Sequence, residues 1–359
     1  MGMNKLKVAI DSSPLTSGHA VRGIGFHTKI LIDHLKNQQN LSLDVIDFRK
    51  NKKLLRKEKF DVLHYPSFHP YFFSIPFRKY AKTVVTIHDL IPLIYPNNYL
   101  GGVKGKIKYF VQKLLINKVD AIITISETSK KDICRFLGVD PEKVYVTYLA
   151  AKDNFKPVNG KALTKVKEKY NLPEKFVLYV GDINYNKNII RLVKACKMAN
   201  LKLVIVGKQA RNENVYINLN HIENKQLEEL INKYGEDKDI LRIGFVDDID
   251  LMAIYSLASV YCQPSLYEGF GLPVVEAFSC GLPVVAAKNN CLVEIADEAA
   301  IFFDPLDIKD MSQKLIEVIN DDELRKDLVE KGFKRSKDFS WEKTAEKTFE
   351  VYKKVSEKS

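Results

Sequence analysis

Pro264-Ser265-Leu266-Tyr267-Glu268-Gly269-Phe270-Gly271-Leu272-Pro273-Val274-Val275-Glu276-Ala277 is the stretch on which the fold turns. It follows a short apolar run, Ser259–Gln263, and leads into the helical pattern Val274–Phe278. A buried strand that ends in a glycine turn and opens a helix is the repeating unit of a doubly wound α/β sheet. Gly269 and Gly271 let the backbone approach a ligand, and the helix start presents free N–H groups to an anion. Glu268 stands before the turn and Glu276 inside the helix, with seven residues between them. Carboxylates so placed can accept hydrogen bonds from paired sugar hydroxyls. The plainer alternative is a strand–turn–helix corner carrying two solvated glutamates.

The same grammar extends in both directions and runs twice. Apolar, β-branched runs at Leu6–Ile10, Leu43–Phe48, Phe60–His64, Thr83–His88, Ala121–Ser126 and Val144–Leu149 predict six strands. Helical patterns at Gly25–Leu35 and Gly105–Lys118 lie between them. A second series follows at Phe176–Gly181, Leu201–Gly207, Ile240–Phe245, Ser259–Gln263, Leu282–Ala287 and Ala300–Phe303, with helices at Asn188–Ala199, Leu251–Leu257 and Val274–Phe278. Fully apolar strands alternating with helices argue for parallel sheets covered on both faces. The polar, Lys-rich stretch Asp153–Pro173, bracketed by Pro157 and Pro173, reads as a linker. Phe339-Ser340-Trp341, followed by Ala345, Phe349 and Tyr352, predicts a closing amphipathic helix capped by Ser340. Two α/β domains are also what 359 residues lead one to expect.

Hydrophobic residues at 46% and charged residues at 28% place the chain among globular proteins. Apolar stretches are broken too soon for a membrane-spanning helix; Glu276, for example, divides the run from Phe270 to Ala287. Lys5 and Lys7 precede only Val8–Ile10 before Asp11, which reads as a first strand and not a secretory leader. Five scattered cysteines with no CxxC pair suit free thiols in a reducing cytoplasm. The net charge of +11 is unevenly spread. Residues 1–150 hold 24 Lys+Arg against 12 Asp+Glu, and the remainder holds 32 against 33. A basic first half can attract phosphates or an anionic membrane, or be a solvated lysine-rich surface.

The segment Glu268–Glu276, around Glu-Gly-Phe-Gly-Leu-Pro, resembles the donor-site motif of the retaining glycosyltransferases of family 4 (group 1), which adopt the two-domain B-type fold. Further pieces match in order: Arg22-Gly23-Ile24-Gly25 resembles the family's N-terminal glycine loop, and Thr86-Ile87-His88-Asp89 its His-Asp segment. Thr124–Lys130 is similar to the Ser-x-x-Ser-Lys stretch after the fifth strand, and Tyr179-Val180-Gly181 with Lys187-Asn188 to the opening of the donor domain. Each piece is unspecific alone; the ordered set is specific. The resemblance implies two Rossmann-like domains facing a central cleft. An acceptor-binding one spans residues 1–155, with helix 340–359 packing back on it, and a donor-binding one spans residues 170–339.

The resemblance also assigns roles. Glu276 is expected at the ribose hydroxyls and Glu268 at the transferred sugar, helped by the amides of Gly269, Phe270, Gly271 and Leu272. Lys187 is expected at the diphosphate as a preplaced charge. Gly23, Gly25 and Arg22 would close over the diphosphate, and Gly181 and Asn188 belong to the donor loop. Gly244 and Val246 mark where the base is read. His88 would touch donor sugar or acceptor, although a lone His at a strand end is structural by default. His64 and Ser126 would line the acceptor pocket, core packing being the plainer reading of His64. The arginine that such families carry near the lysine is replaced here, at Asp182 or Asn186, leaving Arg22, Arg191 or Lys208 to meet the second charge.

The resemblance thus implies a metal-independent, retaining hexosyltransferase with no cofactor. It would use a nucleotide sugar, GDP-mannose or a UDP-hexose, and a glycan or lipid-diphosphate-linked acceptor in surface polysaccharide or glycolipid synthesis. A catalytically inactive nucleotide-sugar-binding subunit of the same fold is the alternative that Asp182 and Asn186 leave open. A sugar phosphorylase or epimerase lacks support in this motif, and no reader motif supports nucleic-acid binding. The basic runs Lys104–Leu115 and Arg49–Lys57 suggest peripheral contact with anionic lipid at the inner face of the membrane of a cytoplasmic protein. The competing reading has the apolar face of the first run packed on the sheet and its lysines in water.

Overall fold

The computed structural model describes residues 5–16, 23–211 and 221–357. It divides into two compact units, Met1–Leu149 with Phe339–Ser359, and Ala150–Asp338. The first contains the strands β1 Leu6–Asp11, β2 Leu41–Ile46, β3 Val62–Tyr65, β4 Lys82–Thr86, β5 Ala121–Thr124 and β6 Val144–Val146. They form one parallel sheet in the order β2-β1-β3-β4-β5-β6. The second contains β7 Val177–Val180, β8 Leu203–Val206, β9 Ile240–Ile243, β10 Val260–Gln263, β11 Val284–Ala287 and β12 Ala300–Phe303. Its order is β12-β11-β10-β7-β8-β9, again all parallel.

Every strand coincides with an apolar run expected from the sequence, because a central parallel strand must bury both faces. In β5, β8, β10 and β11 every residue is buried. Ends expected to be extended, such as His88, Ser126 and Leu149, lie instead in the loops leaving the carboxyl edge.

The linker expectation is corrected. Within the stretch 153–173, Lys161–Tyr170 forms a helix that packs against the helix Asp248–Leu257. Val166 is buried with Leu163 and Tyr170 partly so, one helical turn apart on one side. The Lys169 ammonium and the Tyr170 hydroxyl both donate to Asp250 Oδ2 at 2.6 Å.

The helix Trp341–Glu357 lies on the first sheet, against β3, β4, β5 and the helix Gly23–Leu35. Ser340 Oγ caps it by accepting from Lys343 N at 3.1 Å. Trp341, Ala345 and Tyr352 have no exposed surface. Phe26 meets the Trp341 ring edge-on at 6.0 Å.

Candidate functional site

An open parallel sheet offers a crevice where neighbouring strands send their connections to opposite faces. In the second sheet that point lies between β7 and β10, and the loops leaving both strands carry the polar residues. Lys187 and Glu268 form a partly buried ion pair there: Lys187 Nζ stands 2.8 Å from Oε1 and 2.9 Å from Oε2. Oε1 also accepts from Gln263 Nε2 at 2.8 Å and Ser265 Oγ at 2.6 Å. The Tyr261 hydroxyl donates to Gln263 Oε1, which turns the amide N–H₂ towards Glu268. Glu268 is only 6% exposed, and this set of donors offsets the cost of desolvating its charge.

The two loops are stitched together. Leu266 N donates to Asn186 O at 2.7 Å, and Asn186 Nδ2 to Tyr267 O at 3.0 Å. Asn188 Nδ2 donates to Pro264 O at 2.9 Å and Pro305 O at 2.8 Å, while its Oδ1 accepts from Arg191 Nη1 at 2.8 Å. Asn188 is buried with φ +59°, a conformation Asn tolerates better than most residues. Its side chain is thus a brace, which corrects the expectation of a donor contact. Gly181 ends β7 and donates its N–H to Val206 O at 3.0 Å. Asp182 turns its carbonyl to the Tyr179 hydroxyl at 2.7 Å.

Glu276 is held by a separate set of groups. Its Oε2 accepts from the Tyr255 hydroxyl at 2.9 Å, and both residues are buried. Burial pushes the Glu276 carboxyl up to about 7, against the Tyr255 hydrogen bond and the Lys152 charge, with nearby Asp248 reinforcing the rise. Lys152 is itself ion-paired with Asp248. Between Glu268 and Glu276, Gly271 takes φ +96° as the residue before the helix Leu272–Ser279. A Cβ there would lie 2.7 Å from Leu292 Cδ2. Phe270 is buried, its carbonyl accepting from Cys291 Sγ at 3.2 Å.

At the carboxyl end of β9, the carbonyls of Ile243 and Gly244 both accept from Gly207 N at 3.2 Å. Val246 has its side chain in the core, so only its backbone is available to a base. Phe245 between them is 68% exposed, with Lys208 Nζ 5.0 Å from its ring centroid.

In the first unit the helix Gly23–Leu35 includes both Gly23 and Gly25 in its first turn. Arg22 lies outside the described residues. His88, half-buried beyond β4, approaches His27 edge-on, with Nε2 3.1 Å from His27 Nδ1. Burial and the neighbouring imidazoles hold His27 well below the ordinary histidine value. Ser129 Oγ donates to His88 O at 2.9 Å and steadies the segment.

Two acceptor expectations are corrected. His64 has no exposed surface, and both its ring nitrogens are taken, by Tyr352 at 2.6 Å and Thr86 at 2.7 Å. Burial pushes it down to about 3, so it is a neutral core residue. Ser126 is equally buried and caps the helix Glu127–Leu137, accepting from Ser129 N at 3.0 Å.

Gln263, Ser265 and Tyr255 are members of the site that sequence reasoning missed. Tyr261, Gln263 and Ser265 alternate with Cys262 and Pro264, so three polar groups share one face where an apolar strand ends. That alternation was the signal for two of them. Tyr255 gave none, being one more apolar-faced residue of a buried helix until its hydroxyl finds Glu276.

The sequence profile described as "Glycosyl transferases group 1" matches residues 161–335, and that of "Glycosyltransferase Family 4" matches residues 12–151. The O-antigen chain mannosyltransferase B of Escherichia coli is 29% identical over 315 residues, 85% of this chain and 77% of that protein. A serotype-specific mannosyltransferase, WbdA of Escherichia coli, is 29% identical over 285 residues, 77% of this chain. The matched region is 34% of that longer protein, so the chain spans about a third of its length. Among solved structures, Anabaena HepE in complex with UDP and glucose superposes with TM-score 0.70 at 16% identity, covering 96% of this chain and 98% of that one. The fold is shared with B-type glycosyltransferases.

Proposed function

The chain belongs to the group 1, family 4 glycosyltransferases, and on that basis we propose that it moves a hexosyl group from a nucleoside diphosphate sugar to a glycan or lipid-diphosphate-linked acceptor during polysaccharide synthesis. Mannose is the first sugar to test, because the O-antigen relatives are named mannosyltransferases. GDP-mannose and UDP-hexoses are the donors to compare.

The observation that carries this reading is the Lys187–Glu268 pair at the β7/β10 switch point, with the buried Glu276 a short way further along the chain. Departure of a nucleoside diphosphate develops negative charge, which the Lys187 ammonium and the first amides of the helix Leu272–Ser279 can meet. Arg191 is turned to Asn188, and Lys208 lies over Phe245, where it would stand beside a base or its ribose. Glu276 would accept the ribose hydroxyls, and Phe245 offers an exposed ring to the base.

Retention could proceed through a glycosyl–carboxylate intermediate or on one face. The neutralising contact with Lys187, and two further hydrogen bonds on Oε1 from Gln263 and Ser265, make Glu268 a poor nucleophile and a good positioning residue. The front-face route therefore fits better. The bond from the anomeric carbon to the diphosphate oxygen breaks, the acceptor oxygen bonds on the same face, and its proton passes to the departing diphosphate. No divalent cation is needed in this scheme, so transfer should persist in a chelator.

Calorimetric titration of UDP, GDP, dTDP and ADP into the wild type and Lys187→Ala tests the reading. One nucleotide should bind, and the substitution should weaken it by about 1.5–3 kcal/mol, the worth of a hydrogen bond to a charged group. Binding that ignores the substitution would remove Lys187 from the diphosphate.

A further inference from the structure

The helix Gly102–Ile116 turns its apolar residues the wrong way for a helix whose apolar stripe only covers a sheet. Val103 is 78% exposed, Ile107 61%, Phe110 63% and Leu114 55%. At about 100° per residue these four fall within roughly 60° of arc, opposite the buried Gly105, Gln112 and Ile116. Lys104 flanks the stripe on one side, and Lys106 and Lys113 flank it on the other. The competing reading, in which the apolar side chains of this run cover the sheet, is therefore overturned for these four residues.

A neighbouring loop enlarges the surface. Phe72, Phe73 and Phe77 are 63%, 46% and 68% exposed, and the Phe73 and Phe77 rings pack at 5.3 Å. The Lys108 ammonium sits 5.5 Å from the Phe72 ring and 5.9 Å from the Phe73 ring, joining loop to helix. The loop is fastened from beneath. Gln112 Nε2 donates to His69 O at 2.7 Å and Pro70 O at 2.9 Å, while its Oε1 accepts from Ser74 N at 2.8 Å. Tyr71 lies flat against the helix start, where a Cβ on Gly101 would come within 2.8 Å of its ring. A fixed apolar surface of this extent marks an interaction site.

We propose that this face docks on an anionic lipid bilayer, with the stripe and the three phenylalanines entering the headgroup–acyl boundary and the lysines meeting lipid phosphates. Charge selects this occupant over a second copy of the chain. The helix Gly102–Ile116 carries Lys104, Lys106, Lys108 and Lys113, and neither it nor the loop 69–77 contains an Asp or Glu, so two such faces would repel. No described helix is long and apolar enough to cross a membrane, so the contact is superficial. The proposal rests on this surface alone and stands apart from the identity of donor or acceptor.

The test is co-sedimentation of the full chain with vesicles of phosphatidylcholine, alone or with about a third phosphatidylglycerol. It is repeated with Ile107→Ser/Phe110→Ser and with Lys104→Gln/Lys106→Gln/Lys113→Gln. Four of these positions are exposed and Lys113 is half-buried, so unchanged thermal midpoints should show intact folds. The wild type should bind the anionic vesicles, less so in high salt, and ignore the neutral ones. Loss of three lysines should weaken binding roughly a hundredfold, about fivefold each. The apolar variant should weaken it by about tenfold or more. Failure of the wild type to bind anionic vesicles at low salt would overturn the proposal, as would binding untouched by the apolar variant. A dimer in sedimentation velocity that Phe110→Ser abolishes, without vesicle binding, would give the face to a second copy.

Discussion

Burial keeps the Glu276 carboxyl half-protonated near neutrality, raised from 4.5 to about 7. A ribose diol donates best to the ionised form, so a nucleotide bound there should drive the proton off. At pH 7 calorimetry in two buffers of different ionisation enthalpy is expected to register release of about half a proton per nucleotide. Affinity should rise as pH increases through 7. Glu276→Gln keeps an acceptor for Tyr255 and should abolish both effects; release that survives this substitution would assign the proton elsewhere. Glu268 meets burial differently at the same scale. Its carboxylate oxygens accept from an ammonium and from two neutral donors, Gln263 and Ser265, whose positions follow from strand alternation. The sequence displayed Glu268, Glu276 and Lys187 through their motif. Their partners could not be read because hydrogen bonds across the loops depend on a backbone path, not on spacing.

At the level of elements, the site depends on the loops after β7 and β10 behaving as one body. Asn188 does much of this by binding Pro264, Pro305 and Arg191 from a left-handed backbone position. Asn188→Ala removes three hydrogen bonds and places a strained residue at φ +59°, so a loss of about 3–4 kcal/mol is expected in urea unfolding. Asn188→Gly relieves only the backbone part and should recover about 1 kcal/mol of it. Equal losses for the two variants would show that the side chain alone matters. The helix Lys161–Tyr170 shows why composition misled: its lysines, and Pro157 and Pro173 on either side, suggest a linker, yet one apolar stripe and the Asp250 contacts are enough to dock it. In the helix Gly102–Ile116 the periodicity was legible, but which side faced the sheet was not.

Over the whole molecule, the two units hold buried titratable groups of opposite sign. In the first, His27 and His64 are kept neutral by burial, His64 down at about 3. Unfolding lets them take up protons below about 6.5, so this unit loses stability as pH falls, by roughly 1.4 kcal/mol per pH unit for His64 down to about 3. In the second, Glu276 binds its proton more tightly folded than unfolded, so its contribution grows as pH falls from about 7 towards 4.5. Hydrogen exchange at pH 5 and pH 7, corrected for intrinsic rates, is expected to show protection falling in β1, β3 and β4. Around the helix Leu272–Ser279 protection should hold or rise. Parallel loss in both units would refute the assignment.

Residue patterning was enough to dictate the twelve strands, their parallel and doubly wound class, and the neighbourhood of Glu268 and Glu276. A parallel strand buried on both faces has to be an apolar run, and a strand-to-helix turn at φ +96° has to carry glycine, so both leave marks in one dimension. Everything else waited on the folded chain. Folding put His64 and Ser126 into the core by giving their polar atoms partners from Tyr352, Thr86 and Ser129. It made Asn188 a brace, joined Lys187 to Glu268 and turned Val103, Ile107, Phe110 and Leu114 to the outside. Burial and hydrogen-bond pairing are properties of neighbours in space, and residues as far apart as His64 and Tyr352 become neighbours only when the chain has folded.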